Sequence, residues 1–160
     1  MIAIQVLCVG KLKEKFYTDA SAEYAKRLSA FCKLTVTELP EERLPANPSR
    51  AQIDAALARE GEAVAARIPR GGAVIALCVE GTPMSSEALS AKLEQWAAAG
   101  RSSLTFLIGG SYGMSPALKS RADLRLSMSP MTFPHHLARV MLLEQIYRAF
   151  KISEGSGYHK

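Results

Sequence analysis

Short apolar runs alternate along the chain with stretches in which apolar residues return every third or fourth position. Ile2 to Val9 is an unbroken run of strand length, and Gly10 ends it. Phe16, Ala20, Tyr24, Leu28 and Phe31 then fall on one face of a helix. Leu34 to Leu39 is short and rich in β-branched residues, which predicts a second strand; Pro40, Pro45 and Pro48 mark the loop beyond it. Ser49 and Gln52 have capping-box spacing, and Ile53, Leu57, Val64 and Ile68 give the next helix its apolar face until Pro69 and Gly71-Gly72 stop it. Ala73 to Val79 predicts the third strand, closed by Glu80-Gly81. Ser86 is placed to cap a helix carrying Leu89, Leu93 and Trp96, with Gly100 at its C-terminal end. Leu104 to Ile108 is a fourth strand, and Ser115-Pro116 opens a short helix with proline at its first position. Leu124 to Met128 is a fifth strand, and a long helix runs from His135 to about Ile152.

Strand and helix alternate five times with neither an internal repeat nor an interdomain linker, which predicts one α/β domain over residues 1–160. The strands are apolar throughout, as in a sheet covered on both faces, so the expected architecture has three layers and a mostly parallel sheet. Such sheets bind ligands beyond the carboxyl ends of their strands, here the segments after Val79, Ile108 and Met128. The last helix carries Leu137, Val140, Met141, Leu142, Leu143, Ile146, Tyr147, Ala149 and Phe150. Those residues cover more than the single stripe a surface helix needs, so a second subunit is expected against it.

Composition narrows the function classes. The 160 residues are 48% hydrophobic and 22% charged, and carry a net charge of +5. With a pI near 9.2, the balance favours a polyanionic partner without requiring one. Cys8, Cys32 and Cys78 form no CxxC pair, so they support neither a zinc site nor a redox motif and read as buried thiols. The first apolar run precedes its lysines rather than following them, unlike a signal peptide, and no run reaches membrane-span length. A cytoplasmic protein without a membrane partner is expected.

Four segments could carry chemistry. Gly109-Gly110-Ser111-Tyr112-Gly113 follows a buried strand, but it has neither Walker A nor GxGxxG spacing. It suits either a flat nucleoside-type ligand resting on backbone or a tight turn with no ligand. Ser127-Met128-Ser129-Pro130-Met131-Thr132-Phe133-Pro134 is a stiffened apolar loop that must pack on something, whether a cofactor or the core. Glu144 and Arg148 have the spacing of a simple helical ion pair. The terminal Tyr158-His159-Lys160 reads either as a frayed end or as a base-stacking aromatic beside phosphate-binding groups. His135-His136 lack Asp, Glu or Cys partners at ligand spacing, so no metal site is expected.

Taken in order, Val9-Gly10-Lys11-Leu12-Lys13, Leu107-Ile108-Gly109-Gly110-Ser111-Tyr112-Gly113, Met131-Thr132-Phe133-Pro134-His135, Glu144-Gln145-Ile146-Tyr147-Arg148-Ala149-Phe150 and Tyr158-His159-Lys160 resemble the large-subunit ribosomal RNA methyltransferase H family, the pseudouridine N3-methyltransferases. Each segment alone is weak, while the set in order spans nearly the whole chain. The resemblance implies a minimal SPOUT domain with a C-terminal trefoil knot, acting as a homodimer on large-subunit ribosomal RNA within assembled ribosomes, with S-adenosyl-L-methionine as methyl donor. It implies a cofactor site at Leu77, Gly109, Gly110, Met128, Ser129, Pro130, Met131, Thr132 and Phe133. The target base is expected to meet Tyr158 and His159, with Arg148 as electrostatic support, His135 as a further candidate, and the tail reaching the partner's cofactor site. Lys11, Lys13, Lys15, Arg139 and Lys160 are the expected phosphate contacts. A transfer-RNA methyltransferase of the same fold and a non-catalytic RNA-binding module are the alternatives.

Overall fold

A computed structural model describes all 160 residues. In chain order the elements are β1 (Ile2–Val9), α1 (Lys15–Leu28), β2 (Cys32–Leu39), α2 (Arg50–Ala65), β3 (Ala73–Pro83), α3 (Ser86–Ala98), β4 (Ser103–Ile108), α4 (Pro116–Lys119), β5 (Leu124–Ser127) and α5 (His135–Ser153). The strands form one parallel sheet in the order β2-β1-β4-β3-β5. Alternation along each strand sends side chains to two layers. Ile4, Val6, Phe106 and Ile108 pack with Leu28 of α1, Trp96 of α3 and Leu142 of α5. Leu7, Val9 and Leu107 face Val64 of α2 and Leu118 of α4. All of β4 is buried, as its central place between β1 and β3 requires. This is the expected three-layer α/β architecture. No helix is long and apolar enough to cross a membrane.

Local chemistry fixes the element ends. Ser49 and Gln52 form the expected reciprocal capping box at α2, and Ser115 caps α4 with Pro116 at its first position. Three expectations need correction. The cap of α3 is Ser85, whose Oγ accepts from the Ala88 amide at 3.1 Å, whereas Ser86 donates to Gln145 at 2.7 Å. Glu80-Gly81 does not close β3: the strand continues to Pro83 through a bulge that shifts its register against β5. Phe16 does not join the buried face of α1. It is 65% exposed; in this first turn it is Tyr17 that meets α5, stacking on His136, while farther along Tyr24 and the following Phe31 reach Tyr147.

The wide apolar surface of α5 has an explanation within the subunit. The helix lies on the sheet and packs against both α1 and α3, and Phe150 stacks on Phe31 with ring centroids 5.5 Å apart.

Candidate functional site

The carboxyl ends of β3, β4 and β5 open into a cleft of about 790 Å³, within the range of small-molecule and cofactor sites. Leu77, Ile108, Met128 and Phe133 give it an apolar wall, and Gly109 to Gly113 present backbone to it. Leu77, Gly109, Gly110, Met128, Ser129, Met131, Thr132 and Phe133 all line it, while Pro130 does not and serves only to stiffen the loop. Within that loop the Ser129 hydroxyl accepts from the Met131 amide at 3.0 Å, and Ser127 ties back to the Val79 carbonyl at 2.8 Å. Met131, 72% exposed, stands at the mouth.

The two leading glycines are required by the loop itself. A Cβ on Gly109 would run into the Gly113 carbonyl, and one on Gly110 would lie 2.7 Å from the Glu41 carboxylate and 3.2 Å from Val9. The clash thus falls inside the protein, and only backbone faces the cleft. Glu41 is a residue that no sequence motif singles out. Its carboxylate accepts from the Ser111 amide at 2.8 Å and holds the glycine loop from behind. Burial pushes the Glu41 carboxyl up, but the Ser111 hydrogen bonds and the charges of His135 and His136 outweigh this and lower it.

His135 begins α5 at the rim of the same cleft. Burial, followed by the charge of neighbouring His136, pushes its imidazole below the ordinary 6.5, so His135 is neutral at neutral pH and able to accept a proton. His135 and His136 lie with ring centroids 3.8 Å apart, and no group of three His, Cys, Asp or Glu side chains capable of holding a metal is present. One turn along α5, Arg139 is buried, donating to Glu38 at 2.8 Å and to the Gly10 carbonyl at 3.2 Å. Glu38 also accepts from the Leu12 amide at 3.1 Å. Arg139 therefore clamps the ends of β1 and β2 to α5 and cannot reach phosphate, contrary to the expectation for it.

Arg148, Tyr158 and His159 come together, but elsewhere. With 1.5 Å rise per residue, Arg148 lies roughly 20 Å along α5 from His135. The chain reverses after α5 at Gly155 (φ +73), and the tail docks instead of fraying. Arg148 donates to Glu144 at 2.7 Å, and the Tyr158 hydroxyl donates to the same carboxylate at 3.1 Å. Tyr158 lies edge-on to Tyr147 at 5.1 Å and beneath the Arg148 guanidinium at 4.8 Å. Burial, then the hydrogen bond and charge of Glu144, push the Tyr158 phenol upward, so it stays a donor. Arg148 can only donate, so His159 accepts at Nδ1 (3.1 Å) and its Nε2 carries the proton directed at Glu87, 2.6 Å away. Glu87 lies outside the expected residues, and Glu144 is expected only as the helical ion-pair partner of Arg148. The helical ion pair between Glu144 and Arg148 exists, yet it is also the centre on which the tail converges.

A family model described as "Predicted SPOUT methyltransferase" matches residues 2–159. A protein of Leuconostoc mesenteroides named ribosomal RNA large subunit methyltransferase H is 52% identical over 157 residues, covering 98% of this chain and 99% of that one. Proteins of the same name from Levilactobacillus brevis and Bifidobacterium adolescentis are each 48% identical over the same share. Among solved structures, a methylase family protein from Neisseria gonorrhoeae superposes with a TM-score of 0.55 at 15% identity, over 91% of this chain and 82% of its own. One described as a probable methyltransferase from Bordetella pertussis gives 0.54 at 14% identity, over 92% and 96%. The two structural likenesses extend to the fold.

Proposed function

The chain belongs to the SPOUT methyltransferases and, within them, to the ribosomal RNA large subunit methyltransferase H family, and from that premise we propose that it methylates N3 of a pseudouridine in large-subunit ribosomal RNA on assembled ribosomes, using S-adenosyl-L-methionine. The observation that carries the reading is a division of labour along α5. A cleft suited to a nucleoside-type cofactor lies at its N-terminal end, and an acid–base cluster lies roughly 20 Å away at the other. A distance of that size cannot be bridged within one transfer step. A homodimer that sets one protomer's tail beside its partner's cleft brings the halves together, with a trefoil knot crossing the cleft loops as the family resemblance implies.

The cleft fits the cofactor in chemistry. Leu77, Ile108, Met128 and Phe133 suit an adenine and an aliphatic chain, while the backbone of the glycine segment offers donors and acceptors for ribose and base. When bound, S-adenosyl-L-methionine supplies an electrophilic methyl group on a sulfonium. The protein's task is to hold the nucleophile in line, an approach geometry worth several orders of magnitude in rate. The N3 proton must also leave. Glu144 is the acceptor the cluster presents, while His159, whose Nδ1 already accepts from Arg148 and whose Nε2 carries a proton, holds Arg148 in place to stabilise the anion that results. Tyr158 offers a ring for the target base. Lys11, Lys13 and Lys160 supply phosphate contacts from exposed positions.

Incubating the protein with methyl-labelled S-adenosyl-L-methionine and, in parallel, intact ribosomes, separated subunits and transfer RNA tests this reading. Label in large-subunit RNA, strongest with intact ribosomes, is expected. Label confined to transfer RNA would overturn the substrate.

A further inference from the structure

Phe16 is a large aromatic side chain left 65% exposed at the start of α1, with no role in the core. It begins a row of rings. Phe16 and Tyr17 lie 4.4 Å apart, Tyr17 stacks on His136 at 5.8 Å with planes 18° apart, and His136 adjoins His135 at the rim of the cleft. Lys11 and Lys13 stand exposed in the segment just before, and neither forms an ion pair, whereas Lys15 is neutralised by Asp19 at 2.6 Å. An exposed ring flanked by free cations is the arrangement that receives a nucleotide, with the base on the ring and the phosphates on the ammonium groups.

We propose that Phe16, with Lys11 and Lys13, forms a docking ledge for an unpaired nucleotide of the RNA substrate beside the one being methylated. The inference deepens the proposed function: the row leads from solvent to the cleft, so a base seated on Phe16 fixes the register of its neighbour at the cleft mouth. Stacking needs only a π-face, so the ledge positions RNA without reading its sequence. It is a positioning surface, and no atom of it takes part in the transfer.

The test measures the Kd of fluorescently labelled protein for ribosomes across a salt series, together with methyl transfer, cofactor affinity and oligomeric state, for wild type, Phe16→Ala, Phe16→Trp and Lys11→Glu/Lys13→Glu. Phe16→Ala should weaken ribosome binding on the order of tenfold, the loss of one base stack, and Phe16→Trp should restore it. The lysine double variant should flatten the dependence of log K on log salt by about one unit for each phosphate no longer neutralised. Cofactor affinity should be unchanged in all. Ribosome binding equal to wild type in both Phe16→Ala and the lysine variant overturns the ledge. So does a change of oligomeric state in Phe16→Ala, which would make this face an interface between copies. A wild type that binds ribosomes through the ledge yet transfers no methyl group refutes the proposed function and leaves the ledge standing; one that binds no ribosomes refutes both.

Discussion

Arg139→Met removes the guanidinium that joins three elements while roughly keeping its volume. Two interactions disappear, the 2.8 Å ion pair with Glu38 and the 3.2 Å bond to the Gly10 carbonyl. Breaking a fully buried pair costs about 3–5 kcal/mol, because the survivor is left charged without a partner. Here the Arg139 side chain is 4% exposed but that of Glu38 is 35% exposed, and Glu38 keeps its bond from Leu12. Solvent therefore recovers part of the loss, and about 2–3 kcal/mol is expected. For a chain of this length each kcal/mol shifts the midpoint by about 2–4 °C, so thermal unfolding should move down by about 5–10 °C. The gap should also depend on pH. Burial pushes the Glu38 carboxyl up, but hydrogen bonds from Arg139 and the Leu12 amide, with the charges of Arg139 and Lys11, outweigh it and lower the value. A group lowered in the folded state stabilises above its ordinary range and loses that contribution as pH falls through the folded value. The difference between wild type and Arg139→Met should accordingly be full at pH 7 and shrink under acid, as measured by urea unfolding at each pH. An Arg139→Met protein as stable as wild type at pH 7, with a reduced salt dependence of ribosome binding instead, would refute the buried-clamp reading and restore Arg139 as a phosphate contact.

Gly110→Ala should displace Glu41 from the Ser111 amide and weaken cofactor binding by about tenfold in calorimetry, some 1.4 kcal/mol; Gly109→Val, which drives side-chain atoms against the Gly113 backbone, should abolish it. Deleting residues 158–160 should leave cofactor affinity intact and remove methyl transfer. Mixing that protein with Gly109→Val should recover activity, because one pairing in a mixed dimer has an intact cleft opposite an intact tail. Glu144→Gln should lower the rate by about 10²–10⁴-fold at unchanged cofactor affinity, as loss of the proton acceptor requires, whereas His159→Asn, which removes only a support of Arg148, should cost less. Because the His135 imidazole is held below 6.5 in the folded protein, the unfolded chain takes up its proton first as pH falls, and folding stability drops below that pH; His135→Gln should flatten this part of the stability profile.

The strands, the helices and the cleft are legible in the sequence because each rests on local chemistry. Ile2–Val9 is a strand to the residue, the Ser49–Gln52 capping box is present as its spacing implies, and Ser115-Pro116 opens α4. The cleft loops follow from sheet topology, since parallel strands leave their carboxyl ends open to ligand. What escapes depends on contacts across long separations. Glu38 and Arg139 lie 101 residues apart, Glu41 and Ser111 70, and Glu87 and His159 72, distances over which no periodicity carries information. Periodicity puts Phe16 on the buried face of α1, yet in that first turn the neighbouring Tyr17 meets α5 through His136, a choice that helical spacing alone does not make. Ser85 and Ser86 are equally good caps in isolation; Gln145, which takes the Ser86 hydroxyl, decides between them. The Glu144–Arg148 pair is visible as spacing, while its role as the tail's anchor requires the reversal at Gly155.

Nucleoside mass spectrometry of large-subunit RNA, after unmodified ribosomes have been incubated with the protein and S-adenosyl-L-methionine, tests the central claim most directly. The account predicts one new nucleoside, a pseudouridine carrying its added methyl group on N3, absent when residues 158–160 are deleted. A methyl group on any other nucleoside or ring position, or product formed equally well without the tail, would contradict it.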